Sequence, residues 1–204
     1  MKNHLLIAGV TGSGKSYLEN QIIKKLSGQF IYIDPKMVEL ADYEGQPTCK
    51  RYAADIDEII DALDDAIAEM DSRFTVMRAR KEKLWTGSYL YIVIDELADL
   101  MLSDRKKTIR QQLATLATKG RAARVILICC TQVTTQDVIP QMILVNLPNV
   151  ICLRQRNAQK YRYLLGEYNG KLPEYGVCFL VTPDRDRPQK TTTDAAIETL
   201  IAQE

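Results

Sequence analysis

The chain has no apolar run approaching the roughly 18 residues a membrane-spanning helix needs. Its opening Met1-Lys2-Asn3-His4 leads straight into a short strand-like segment that Gly9 closes. Neither a signal peptide nor a membrane span is expected. The five cysteines, Cys49, Cys129, Cys130, Cys152 and Cys178, form no CxxC pair, and two of them stand side by side in an apolar run as small core residues. Such usage fits a reducing, cytoplasmic compartment. Internal repeats, low-complexity tracts and domain-dividing linkers are missing, and no Asn-Lys-x-Asp motif is present to read guanine. Net charge is also scarce, because 27 Lys and Arg against 26 Asp and Glu leave +1. That balance hides a sorting of charge, which matters for partners. Residues 55–71 carry eight acidic side chains and no basic one, whereas 105–124 hold Arg105, Lys106, Lys107, Arg110, Lys119, Arg121 and Arg124 with no acidic one.

What is present suits one domain: 204 residues, 46% of them hydrophobic. Strand-length apolar runs at about 4–8, 29–33, 89–94, 124–130, 149–153 and 176–181 alternate with helix-period segments at about 15–27, 55–83, 105–119, 157–165 and 193–202. This alternation predicts an α/β fold with a mostly parallel central sheet covered by helices on both faces, and the Gly9–Ser16 phosphate-loop pattern makes the expected fold a P-loop NTPase. The stretch 183–192 reads as a linker releasing a C-terminal helix, so the expected division is a core over 1–182 and a linker with short helix over 183–204.

Gly9-Val10-Thr11-Gly12-Ser13-Gly14-Lys15-Ser16 fits G-x-x-x-x-G-K-[ST] and sits between a strand and a helix, as phosphate binding requires. Glycines let backbone N–H groups turn inward around phosphate oxygens, and the helix N-terminus adds partial positive charge. Lys15 is placed to reach the β- and γ-phosphates of ATP, and the Ser16 hydroxyl to ligate Mg²⁺. Farther along, Leu90-Tyr-Ile-Val-Ile-Asp95-Glu96 is an apolar strand ending in two carboxylates. Asp95 is expected to hold the Mg²⁺ shell and Glu96 to activate the attacking water, which favours hydrolysis over transfer to a small-molecule hydroxyl. Thr131-Gln132 ends a strand beside the phosphate loop, where Gln132 either senses the γ-phosphate and lytic water or simply caps the strand.

Together with Ile33-Asp-Pro-Lys-Met-Val-Glu-Leu40, Tyr43-Glu-Gly45, Val93-Ile-Asp-Glu-Leu-Ala-Asp-Leu-Met101, Lys119-Gly-Arg-Ala-Ala123, Asp137-Val-Ile139 and Asn146-Leu-Pro148, these segments resemble the motor domain of FtsK/SpoIIIE-type DNA translocases, within the wider group that includes viral genome-packaging ATPases. The resemblance covers most of residues 4–165. It implies a DNA-stimulated ATPase that moves double-stranded DNA through a homo-oligomeric ring, a hexamer, with capsid or relaxase proteins as possible recruiting partners. Arg121 matches the family's arginine finger, which acts on a neighbouring subunit's ATP. Arg162 falls at a DNA-contact position, with Arg156 and Lys160 nearby, while Val133 replaces the arginine usual after Thr-Gln. Asp34 and Lys36 are given no role beyond shaping the site. The family's further domains are not expected in this chain, so the chain reads as a minimal core. A domain of this length has a radius of gyration near 17 Å and cannot surround duplex DNA alone. A nucleotide-gated ring assembly that moves nothing, and a small-molecule kinase, are the alternative readings.

Overall fold

In the computed structural model, which describes residues 1–166, 173–185 and 187–203, the first strand β1 (Leu5–Ala8) lies inside the sheet. It pairs in parallel with β5 (Val125–Thr131) on one side and β6 (Asn149–Cys152) on the other. Beyond β5 follow β4 (Leu90–Ile94), β2 (Gln29–Ile33) and β3 (Cys49–Ala53), all parallel. Beyond β6 follow β7 (Val177–Val181) and β8 (Gln189–Thr192), both antiparallel to their neighbours. Among the described residues these eight strands form one sheet in the order β3-β2-β4-β5-β1-β6-β7-β8.

Alternation along β1 shows why such strands read as unbroken apolar runs. Leu6 and Ala8 face one layer with α2 (Ile56–Arg80), α3 (Leu97–Met101), α4 (Lys106–Lys119), α5 (Gln141–Leu144) and α6 (Ala158–Leu165). Leu5 and Ile7 face the other layer with α1 (Lys15–Lys25) and α7 (Thr193–Ile201). Both faces are covered, so both sets of side chains are apolar. The long α2 starts at a capping box, in which Asp55 accepts from the backbone of Asp57 and Glu58 and Glu58 returns the bond. It stops earlier than expected because Lys81 turns left-handed, with φ 57°.

The two outermost strands, β3 and β8, lie outside the predicted set. Each is an edge strand whose side chains are mostly half-buried or exposed, so neither shows an apolar run. β8 also corrects the linker reading of 183–192, since its pairing with β7 ties this stretch to the sheet. Ala196, Ile197 and Leu200 of α7 are then buried against α1. Residues 186 and 204 of that region lie outside the described residues.

Candidate nucleotide site

Because β1 runs between β5 and β6, the loop that follows it inherits hydrogen bonds on both sides. The Gly9 N–H donates to the Thr131 carbonyl at 3.1 Å and the Val10 N–H to the Arg154 carbonyl at 3.0 Å, prolonging the ladder past the strand. Gly12 and Gly14 then turn left-handed, with φ 74° and 95°, which frees the loop to curl before α1 begins at Lys15. At Gly9 the limit is space, since a Cβ there would stand 2.4 Å from Ser13 Oγ and 2.8 Å from Leu153 Cβ. Lys15 lies over the loop with Nζ 3.5 Å from the Val10 carbonyl, and partial burial lowers its pKa. Thus the eight expected phosphate-loop residues lie together at the carboxyl end of the sheet, where ligands of open α/β folds bind.

The carboxylates after β4 fall at the same end. Asp95 is nearly buried, and burial followed by the charges of Asp34 and Glu39 pushes its pKa up to about 6. A cation would relieve that crowding. Among the described residues no group of three or more His, Cys, Asp or Glu could hold a metal alone. Mg²⁺ is usually bound through one or two protein groups plus substrate phosphates and water. Ser16 and Asp95 are the residues that would hold it, and when bound it would neutralise charge on the phosphate oxygens.

Glu96 is 3% exposed and firmly held. Its Oε1 accepts from the Thr131 hydroxyl at 2.9 Å and the Ala98 N–H at 3.2 Å, and the Gln132 N–H reaches both carboxylate oxygens at 3.2 Å. Gln132 continues the chain of contacts through its side chain, whose Oε1 accepts from the Thr11 hydroxyl of the phosphate loop at 2.5 Å. One residue therefore links the candidate base to the phosphate loop.

The turn of Asp34 and Lys36, expected only to shape the site, and Glu19, which the sequence did not single out, complete this end. Lys36 Nζ is 3.3 Å from Asp99 and 4.0 Å from Glu96, so the Asp-Pro-Lys turn after β2 touches the site. Asp34 is the anchor of that turn, its Oδ2 accepting from the N–H groups of Val38 and Leu40 at 2.9 Å each. On the buried face of α1, Glu19 is wholly buried and accepts from the Cys130 thiol at 3.3 Å. Burial, reinforced by Asp95, pushes its pKa up to about 8.

Arg121 is not at this end. It belongs to a single 3-10 turn, Gly120–Ala123, which precedes β5, and its guanidinium reaches Asn3 Oδ1 at 3.5 Å ahead of β1. The length of β5, about 20 Å at the usual rise per residue, separates it from its own phosphate loop.

The cations expected to meet DNA divide. Arg162 is exposed on α6, whereas Lys160 donates to the Thr134 carbonyl at 3.3 Å and so ties α6 to the loop after β5. Val133 in that loop packs against the core. Arg156 lines a cavity of about 420 Å³ with Val10, Gly12, Arg154 and Tyr175, directly beside the phosphate loop. Tyr161 is a core residue whose hydroxyl accepts the Gln155 N–H at 2.8 Å.

The sequence profile of the FtsK/SpoIIIE family matches residues 1–87 and 75–137, which span the phosphate loop, the Asp-Pro-Lys turn, Asp95-Glu96 and Arg121. The chain belongs to the FtsK/SpoIIIE family. Among relatives, it is 32% identical over 229 aligned positions to DNA translocase FtsK 1 of Neisseria meningitidis serogroup A, a match covering 92% of this chain. The chain spans only 28% of that relative's length. Among solved structures, the conjugation coupling protein TcpA of pCW3 in its monomer form with ATPγS superposes with a TM-score of 0.81 at 23% identity, over 98% of this chain and 65% of that one. The genome packaging NTPase B204 of Sulfolobus turreted icosahedral virus 2 gives a TM-score of 0.55 at 15% identity, over 94% and 97% of the two chains. These two likenesses establish the P-loop ATPase fold. In this FtsK/SpoIIIE core no helix among the described residues is long and apolar enough to cross a membrane.

Proposed function

We propose that this chain hydrolyses ATP at the carboxyl end of its sheet and, as a homo-hexameric ring, moves double-stranded DNA. The observation that carries this reading is the separation of Arg121 from its own phosphate loop by the length of β5. A cation at the amino end serves a nucleotide only when it faces another copy's carboxyl end, and a head-to-tail contact of that kind forms a ring when its rotation closes. The family's DNA translocases support the substrate.

Within one site the division of labour follows from position. The loop N–H groups and Lys15 hold the β- and γ-phosphates, and Ser16 and Asp95 hold Mg²⁺. Glu96, oriented by Thr131 and Gln132, takes the proton of the attacking water, and the neighbour's Arg121 meets charge developing on the γ-phosphoryl group. Cations of α6, Arg162 foremost, contact DNA phosphates, which gives binding indifferent to sequence and sensitive to salt. Lys160 transmits movement between α6 and the loop after β5 through its bond to Thr134.

The test is the ATPase rate with and without duplex DNA. The proposal predicts a severalfold rise that fades with salt, and a rate that ignores duplex DNA contradicts it. One observation favours a second reading, a ring-forming assembly ATPase that moves nothing. The loop over residues 133–141 contains no cation, and its Val133 faces the core. An active, ring-forming protein indifferent to DNA would establish that alternative.

A further inference from the structure

Beside Arg121 the amino end of the sheet holds a cavity of about 470 Å³ lined by Leu84, Trp85 and Tyr89 together with Lys2, Arg121 and Arg124. Its walls are fixed from several directions. Buried Arg73 of α2 donates to the carbonyls of Ser88, Ala123 and Arg124 at 3.1, 2.9 and 3.2 Å, and its guanidinium lies 5.4 Å from the Trp85 ring centre. Arg124 donates to the Gly87 carbonyl at 2.9 Å while lying 4.7 Å over Tyr89. The Trp85 backbone N–H donates to the Ala122 carbonyl at 2.8 Å. The segment carrying the aromatic rings is thereby pinned to the turn carrying Arg121. A preformed apolar hollow with a cationic rim loses little entropy on receiving a partner.

At the carboxyl end stands the matching oddity. In the turn after β2, Met37 is 66% and Val38 69% exposed, and Met37 holds φ at 55°. Left-handed backbone is uncommon outside glycine and asparagine, and for a bulky residue it is strained. The fold keeps that strain while presenting two apolar side chains to solvent. The same turn carries Glu39, Asp42 and Glu44, with Asp99 adjacent, against the single cation Lys36. Three cations and no acid line the cavity at the other end.

We infer that the Met37–Val38 turn of one copy seats in the Trp85 cavity of the next, the contact that brings Arg121 to the neighbouring nucleotide. This inference rests on the ring reading above and identifies its contact surfaces. Apolar surface meets apolar surface, and the acidic flank of the turn meets the cationic rim. The contact also couples to chemistry, because Lys36 precedes Met37 and lies 4.0 Å from the Glu96 carboxylate. Docking therefore registers at the residue that positions the attacking water.

Trp85 is the chain's single tryptophan, so its emission reports on the cavity alone. The experiment follows Trp85 emission and sedimentation of the full chain against protein concentration, with Mg²⁺ and a non-hydrolysable ATP analogue. The expected result is a blue shift that tracks the gain in mass. The double variant Met37→Asp, Val38→Asp should bind fluorescent ATP analogue and melt like the native chain, yet neither shift Trp85 nor gain mass. Its turnover should fall by about 10³ or more, the typical worth of a trans arginine. Arg121→Ala should still assemble and shift Trp85 while losing turnover. The inference is overturned if Trp85 emission stays constant as mass rises, or if the double variant assembles and hydrolyses like the native chain. A silent Trp85 together with restored activity on mixing Lys15→Ala and Arg121→Ala subunits would sink the docking surface and leave the ring standing. No gain in mass and no restored activity would sink both.

Discussion

The two ends of the sheet are built on opposite plans. At the carboxyl end the contacts close upon themselves: Gly9 and Val10 bond to β5 and the segment after β6, Gln132 reaches Thr11, and Thr131 holds Glu96. At the amino end a frame made by Arg73 and Arg124 surrounds a cavity and an exposed Arg121, which meets Asn3 at the far end of the sheet from the phosphate loop. In the proposed reading one end binds nucleotide in cis, and the other serves a neighbouring copy's nucleotide.

Breaking each half should have its own signature. Arg121→Ala is expected to lower kcat by about 10³–10⁵ with little change in nucleotide affinity. Glu96→Gln should lower kcat by about 10²–10⁴ while ATP still binds, measured by single-turnover hydrolysis beside a binding titration. Undiminished turnover in that variant would remove Glu96 as the base. On the DNA side, replacing Arg156 and Arg162 with alanine should flatten the salt dependence of duplex binding by about one unit of slope per lost phosphate contact. Because Arg156 lines the cavity beside the phosphate loop, the single variants sharpen this. Arg162→Ala should change the salt slope, and Arg156→Ala should change nucleotide affinity as well.

The ends also respond oppositely to pH. Burial raises Glu19 from 4.5 to about 8, so its ionisation opposes folding. Glu19→Gln should therefore melt higher than the native chain by a margin that opens as pH rises from 4.5 and is complete above 8. At the amino end, burial lowers His4 from 6.5 to about 4, while its Nδ1 accepts the Leu127 N–H at 2.9 Å. Protonation of that ring opposes folding, so stability falls as pH drops from 6.5 toward 4. His4 is the only histidine, so its proton NMR signal can be followed by itself, and titration near 6.5 would contradict this.

How much of this could be read from the residues depends on burial and on range. Strands covered on both faces, such as β1, β4 and β5, are legible because burial leaves continuous apolar runs, and the phosphate loop because eight adjacent residues carry its chemistry. β3 and β8 were hidden by being edges, where Cys49–Ala53 and Gln189–Thr192 need no apolar pattern. α3 and α5, at five and four residues, are too short to show helical periodicity. Asp95 and Glu96 were legible as a strand end, but the clamp on Glu96 from Gln132 joins residues 36 apart in sequence. Lys36 at Glu96 and Arg156 at the phosphate loop arise from strand order, which no local spacing announces. The place of Arg121 needed both kinds of information, since a family motif marked the residue and only the fold set it at the far end.

The central claim is that a working site takes Lys15 from one copy and Arg121 from the next. It is tested most directly by mixing Lys15→Ala with Arg121→Ala protein, each inactive by itself, and measuring ATP hydrolysis with duplex DNA present. With random assembly about a quarter of the contacts between copies pair an intact Lys15 with an intact Arg121. The account predicts that activity reappears at about that fraction of the native rate. A mixture as inactive as its components, or an Arg121→Ala protein that hydrolyses ATP like the native chain, would contradict it.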